Sequence, residues 1–98
     1  PRETAPQLLE FLTVEIEKTP LASALNAIRT RLDLPLLFDH NSLARHQIDP
    51  ARVNVSLPAG RTYYQGALDR LLNQAQLKSE LRVDEAEKPF LWISTLKK

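Results

Sequence analysis

VEIEKTPLASALNAIRTRLDLPLLFD, residues 14–39, predicts a strand, a helix and a second strand in succession. The first strand begins slightly earlier, because FLTVEI (11–16) alternates apolar and polar residues as a half-buried strand does. Thr19 and Pro20 are residue types favoured at a helix N-cap and at the first helical position. The apolar run LPLLF (34–38) predicts a buried strand. One stripe at helical spacing is predicted to be buried between the strands: Leu21, Ala24, Leu25, Ile28 and Leu32.

A second unit of the same kind follows further along the chain. RVNVSL (52–57) alternates as a strand, and PAGRT (58–62) interrupts the alternation. Within that interruption, Gly60 predicts a turn and Thr62 a helix N-cap. The helix that follows carries the same spacing of apolar residues, namely Tyr64, Ala67, Leu68, Leu71 and Ala75.

The end of the chain predicts a β-hairpin. LKSELRV (77–83) and FLWIST (90–95) both alternate, and the charged segment DEAEKP (84–89) separates them. ALNAIRTRLDL (24–34) also resembles ALDRLLNQAQL (67–77), which indicates a duplicated β-α-β unit with a period of 43 residues. The predicted fold is therefore α+β in the order β-α-β-β-α-β-β, with two helices packed against small β-sheets.

Composition limits the classes of function. The chain has 98 residues, of which 43% are hydrophobic, and this suits one globular domain. A net charge of +1 with interspersed signs argues against a nucleic-acid partner, since phosphate binding requires a basic surface. The sequence has no cysteine, no Gly-rich phosphate loop and no apolar run long enough for a membrane span. We therefore expect no cofactor and no direct insertion into a membrane.

Two further features concern the extent of the domain. Residues 1–10 contain two prolines and little pattern, so we predict a linker there and a single domain over residues 11–98. The chain contains no methionine and opens with Pro1, so we interpret it as a piece of a larger protein.

Three segments together resemble the secretin and TonB short N-terminal domain: VEIEKTPLASALNAIRTRLDLPLLFD, VNVSLPAGRTYYQGALDRLLNQAQLKSELRVD and FLWIST. The resemblance covers residues 11–95 and consists of a Thr-Pro-Leu helix start, two Ala-Leu helices and a short strand ending in Asp39. The chain departs from the family pattern in two places. Thirteen residues separate Asp39 from Val53, and the second helix begins with GRTYYQGAL instead of a Pro-Leu pair.

The resemblance implies a non-catalytic module in the periplasm or cell envelope of a bacterium. Domains of this family contact other proteins at the periplasmic end of secretins and of transducing receptors. The implied partner is a second protein or another copy of the chain within an envelope assembly. Docking would use an exposed strand edge or an aromatic face.

The segment FDHNSLARHQID (38–49) offers an alternative, a small metal- or ligand-binding enzyme domain centred on His40 and His46. A spacing of six residues places two helical side chains about 120° apart, so a shared metal would require a loop. The competing interpretation is a connector in which Asp39 or Asn41 caps a short helical turn and Leu43 points inward. The histidines then face water, and no metal site results.

Catalytic residues are not predicted. Ser42 lies near both histidines in the sequence, yet no strained nucleophile turn presents its hydroxyl. The acidic residues lie on outward strand positions or in the turn near Asp84, where solvation is expected.

Two aromatic residues are the predicted partner-binding residues. Because a helix can bury only one of two adjacent tyrosines, the stripe assigns Tyr64 to the core and leaves Tyr63 for solvent, a strand edge or a partner. In the last strand, Leu91 and Ile93 are assigned to the core, and Trp92 lies on the opposite face, where it could meet another domain. The arginines are expected to be solvated, namely Arg29, Arg31, Arg70 and Arg82.

Overall fold

The computed structural model describes residues 6–96, and these form an α+β domain as predicted. A 3-10 helix, Pro6–Leu9, precedes the first strand. The strands are β1 (Phe11–Pro20), β2 (Leu36–Phe38), β3 (Asn54–Tyr63), β4 (Leu77–Val83) and β5 (Pro89–Thr95). The helices are α1 (Leu21–Leu32), α2 (His40–Arg45) and α3 (Tyr64–Gln74).

The first sheet consists of β1 and β3 in antiparallel pairing, with Phe11 opposite Tyr63 and Pro20 opposite Asn54. The register shifts on either side of Ile16. Beyond Ile16, β1 has two residues where β3 has one, which is a β-bulge. Lys18 in this bulge has a φ of 42° and donates its backbone N–H to Ser56 Oγ at 3.0 Å. The first shift, between Val14 and Ile16, places Pro58 and Ala59 of β3 against Glu15, so regular pairing of β1 with β3 extends only over Phe11–Val14.

The second sheet has the order β2-β5-β4, with β5 in the centre. β5 pairs parallel with β2 and antiparallel with β4, so the predicted hairpin is confirmed. The Asp84 carboxylate orders the hairpin turn by accepting the backbone N–H groups of Ala86 and Lys88 at 2.8 and 2.9 Å. This is the Asx-turn chemistry that aspartate favours in tight turns.

Both predicted helical stripes are buried. In α1 the buried residues are those predicted, Leu21, Ala24, Leu25, Ile28 and Leu32. In α3 the predicted residues are joined by Leu72, while Ala75 follows the helix and is also buried. The stripes pack with the inward residues of the strands, such as Val55, Leu57, Leu91 and Ile93, in one core. Burial of apolar surface on this scale is the main source of folding free energy.

The predicted helix starts were wrong in detail. Pro20, not Thr19, is the N-cap of α1, and no side chain caps the helix. The first amides of α1 are satisfied instead by carbonyls of the segment just before β3, since Leu21 N donates to Val53 O at 2.8 Å and Ala22 N to Pro50 O at 3.0 Å.

At the start of α3, too, a backbone carbonyl distant in sequence takes the place of a side-chain cap. Tyr63 is the N-cap in place of Thr62, and Tyr64 N donates to Glu10 O at 3.1 Å. Gly60 lies within β3 opposite Val14, not in a turn, so β3 continues through the segment 58–62. Pairing with β1 thus maintains the strand where the alternation of the sequence fails.

Two further segments differ from expectation. In the predicted linker 1–10, residues 1–5 lie outside the described residues, whereas Pro6–Leu9 form the 3-10 helix and Leu8 is buried. The run 34–38 forms a strand over only Leu36–Phe38, and Leu37 is 48% exposed because it points to the outer face of the second sheet.

The outer edge of β3 is bound by a side chain of α3. The Gln74 amide accepts the backbone N–H of Ser56 at 2.9 Å and donates to the carbonyl of Ser56 at 2.7 Å. One side chain thereby satisfies both hydrogen-bonding groups of a strand residue, as a neighbouring strand would.

Candidate interaction surfaces

An exposed aromatic pair lies on the outer face of the first sheet. Phe11 and Tyr63 are cross-strand neighbours, and their rings stack with centroids 4.3 Å apart and an interplanar angle of 25°. Phe11 is 49% and Tyr63 46% exposed, whereas the adjacent Tyr64 is buried as predicted. The prediction placed Tyr63 correctly on the surface but missed its partner. Phe11 could have been found, since it is an apolar residue on the polar face of an alternating strand.

Arg61 extends this aromatic pair. Its guanidinium carbon lies 4.2 Å from the centroid of the Phe11 ring, within cation–π distance. Arg61 pairs with Thr13, two residues along from the Phe11–Tyr63 pair, so all three side chains share the outer face. We call Phe11, Arg61 and Tyr63 the aromatic stack. The stack limits the conformations of its members and presents half-exposed rings to solvent.

Trp92 lies on the outer face of the second sheet. Its direct neighbours are Leu37 on β2 and Glu80 on β4. The Arg82 guanidinium carbon lies 5.2 Å from the Trp92 ring centroid, and the same side chain forms an ion pair with Glu80. Trp92 is half-buried, while Leu91 and Ile93 are in the core as predicted. Tyr63 and Trp92 therefore belong to different sheets and do not form one cluster of strand neighbours.

The connector contains the capped helical turn that was one of its two interpretations. Asp39 is the N-cap of α2, and its carboxylate accepts the backbone N–H of Ser42 at 3.2 Å. Leu43 is buried as expected, and His40 is exposed. His46 differs from the expectation, because it is half-buried and its Nε2 atom is buried without a hydrogen-bond partner among the described residues.

Ser42 has a structural set of hydrogen bonds. It is buried, its hydroxyl donates to the Asp39 carbonyl at 3.3 Å, and it accepts the backbone N–H of Thr95 at 3.4 Å. The only hydrogen bond between Ser42 and a histidine within residues 6–96 is between backbone groups, from His46 N to Ser42 O at 3.2 Å, and none joins the Ser42 hydroxyl to an imidazole. Among the same residues, no group of three or more His, Asp or Glu side chains could hold a metal ion. The metal-binding alternative gains no support from this arrangement.

A polar groove of about 620 Å³ adjoins the connector. Its lining includes Arg45 and Lys78 as well as Asp39, so charges of both signs are present. A second groove, of about 350 Å³, lies between β1 and α1. It is lined partly by the apolar side chains Val14 and Ile16 of β1, which are half-buried.

Comparison with known proteins gives no relative: no protein-family model, no curated protein and no solved structure matches the chain. Over the part of the chain that the structure describes, no helix is both long enough and apolar enough to span a membrane.

Proposed function

We propose that this chain is a non-catalytic protein-interaction module of a larger bacterial cell-envelope protein, similar to the secretin and TonB short N-terminal domain. The proposal rests on the residue pattern of that family over residues 11–95, on the α+β order of elements, and above all on the aromatic stack. The partner is a second protein or another copy of the chain, and the proposed location is the periplasm.

The observation that carries the proposal is the half-exposed pair Phe11 and Tyr63. Aromatic side chains bury a large area with few rotatable bonds, so they are frequent anchors at protein interfaces. Here the rings already stack on each other and Arg61 already lies over Phe11. Side chains that are ordered before binding lose less conformational entropy in the complex, which favours this face as the contact. Trp92 is a second candidate contact on the other sheet.

Site-specific photo-crosslinking in the parent protein tests this function. A photoreactive amino acid is placed at position 63, at position 92 or, as a control, at position 86 in the exposed hairpin turn. We expect a discrete adduct from position 63 in the periplasmic fraction, and none from position 86. The mass of the adduct distinguishes another copy of the chain from a different protein.

A second variant links the adduct to the aromatic stack. Phe11→Ala removes one ring from a half-exposed position, so the fold should persist by circular dichroism while the yield of the position-63 adduct falls. Equal adducts from positions 63 and 86, or an unchanged yield in folded Phe11→Ala, would contradict the aromatic face as the contact. An adduct confined to the cytoplasm would contradict the envelope location.

A further inference from the structure

The four outer strand edges of the two sheets differ in their capacity to accept another strand. Gln74 occupies the edge of β3 at Ser56, and Pro58 in the same strand has no N–H to offer. β4 carries the alternating charges Lys78, Glu80 and Arg82, a composition that discourages edge pairing. β2 has only three residues.

β1 is less protected, since its first six residues contain no proline and a single charged residue, Glu15. Within residues 6–96, β1 pairs only with β3. Phe11–Ile16 form a run of six residues before the bulge at Lys18, and the register shift between Val14 and Ile16 places its extra residue on β3, not on β1. Alternate peptide groups of such an edge point away from its one partner. This edge can therefore hydrogen-bond an extended peptide.

The groove beside this edge provides positions for side chains. α1 follows β1 and forms the opposite wall of the 350 Å³ groove with Ala24, Ala27 and Ile28. Val14 and Ile16 contribute apolar surface from the strand side. A strand added to β1 would direct every second side chain toward this apolar surface. Peptide-binding grooves at a sheet edge obtain their sequence specificity from such alternate side chains.

The charges at the groove indicate which side chains an added strand would carry on its other face. Glu15 and Glu17 lie on the strand side, both exposed, and neither forms an ion pair with another described residue. Arg31 is the cation of the groove lining and belongs to the helix, on the opposite wall. The side chain that lies across from Glu15 on an added strand is therefore favoured to be basic.

The same charges disfavour pairing with the β1 strand of a second copy in the two registers that align its acidic residues. If two β1 strands paired antiparallel about Glu15, the two Glu15 carboxylates would lie opposite each other. Pairing about Ile16 would place Glu15 opposite Glu17. Like charges directly across a strand pair are destabilising.

We propose that the groove between β1 and α1 binds an extended segment of a partner protein with alternating apolar and basic side chains, which pairs with the edge of β1 over Phe11–Ile16. This inference rests on the proposed function as an interaction module. It adds a second contact to the aromatic stack, since Phe11 lies at the start of the same strand. Main-chain hydrogen bonds would supply affinity, and the groove and Glu15 would supply specificity.

A titration of the isotope-labelled 98-residue chain tests the proposal. The probe is a short peptide of alternating valine and lysine, acetylated and amidated at its ends. The control probes are the valine–glutamate peptide and the valine–lysine peptide with N-methyl groups on alternate residues. We expect the first peptide to shift the amide resonances of Phe11–Ile16 and α1, and both controls to bind at least about tenfold more weakly, since they reverse the charge or remove main-chain donors.

Matched protein variants complete the test. Glu15→Lys should weaken binding of the valine–lysine peptide about tenfold, whereas Glu85→Lys, which makes the same change of charge in the hairpin turn, should not. Shifts confined to another surface, equal binding by the N-methylated peptide, or equal affinity of the Glu15→Lys and Glu85→Lys variants would overturn the proposal. Dimerisation of the free chain that Glu15→Lys strengthens would identify a second copy as the occupant and would also overturn it.

Failure of this proposal can be told apart from failure of the proposed function. A position-63 adduct without binding of the peptide at β1 would leave the interaction module standing and remove the groove as its site. Binding of the peptide at β1 without any adduct would support the groove as a binding site and would exclude the aromatic stack as the contact.

Discussion

At the scale of single residues, Asp39 joins the connector to the second sheet. Its backbone N–H donates to the Ile93 carbonyl at 2.8 Å, while its own carbonyl accepts from Leu43 N at 3.1 Å. Its carboxylate accepts the N–H of Ser42 and so caps α2. The residue that directly follows β2 therefore also caps the next helix, and this fixes the position of the segment that carries His40, Ser42 and His46.

Removal of this cap gives a prediction for stability. Asp39→Ala should lower the free energy of unfolding by about 1 kcal/mol, because the Ser42 N–H loses its side-chain acceptor. Asp39→Asn retains a side-chain oxygen and should cost clearly less. Urea unfolding of the three proteins measures the difference. If Ala and Asn were equally destabilising, the carboxylate would not act as a cap.

At the scale of helices and strands, the interaction of Gln74 with Ser56 connects α3 to the edge of β3. Both hydrogen bonds are to the backbone, so they depend on the position of the strand and not on the identity of the residue at position 56. They also keep this edge from pairing with other chains, in the manner of edges that natural sheets cover.

The loss of this contact gives a second prediction. Gln74→Ala should lower the free energy of unfolding by about 1 kcal/mol or less, since the two hydrogen bonds to Ser56 are exposed and are exchanged for bonds with water. Hydrogen exchange of the Ser56 amide should accelerate more than exchange of core amides in α3. The neighbouring exposed residue gives the control, Asn73→Ala, for which we expect neither effect. Equal exchange rates in the two variants would show that Gln74 does not protect the edge.

The ends of the elements were less predictable than their centres. The spacing of apolar residues identified α1, α3 and the hairpin. The buried side chains of a helix or strand recur at the period of that element, so they can be recognised within a short stretch of sequence. The sequence rules failed at Thr19 and Thr62, since carbonyls distant in sequence, Val53 O and Glu10 O, satisfy the helix amides instead of side-chain caps. They also failed at Gly60. Taken alone, its sequence pattern indicates a turn, but a strand that is paired with another can contain a glycine and a β-bulge.

At the scale of the whole molecule, α3 connects the two sheets. It contacts β3 of the first sheet and β4 of the second, and it also packs on α1. Leu68 and Leu71 of its buried stripe are inaccessible to solvent. A defect in this helix should therefore affect the entire domain and not one sheet alone.

This gives a prediction for global stability. Leu68→Ala should lower the free energy of unfolding by about 2–5 kcal/mol, as truncation of a fully buried leucine leaves a cavity. Both sheets should unfold in one transition at lower denaturant concentration. Arg70→Ala, at an exposed position of the same helix, should change stability by less than about 0.5 kcal/mol. Two separate transitions in Leu68→Ala would show that the sheets are stabilised independently.

Apart from the hairpin, the pairing of strands was not revealed by the sequence: β1 with β3, and β2 with β5. The aromatic stack depends on the first of these pairings. Phe11 meets Tyr63 only because β1 pairs with β3 in one register, and no local pattern specifies a register between strands so far apart. The same holds for Trp92, whose neighbour Leu37 comes from the parallel strand β2. Exposure of Tyr63 could be predicted from one helix, whereas its stacking partner depends on the tertiary fold.

The central position of β5 also has a consequence for synthesis of the protein. Among the described residues β5 is the last strand to leave the ribosome, yet β2 and β4 both hydrogen-bond to it and not to each other. Until β5 emerges, the nascent chain has unpaired strands and an incomplete core, the condition in which folding intermediates aggregate or bind chaperones. A ribosome-stalled chain that ends before residue 89 should therefore be sensitive to protease and should recruit chaperones, whereas one with β5 fully exposed should fold.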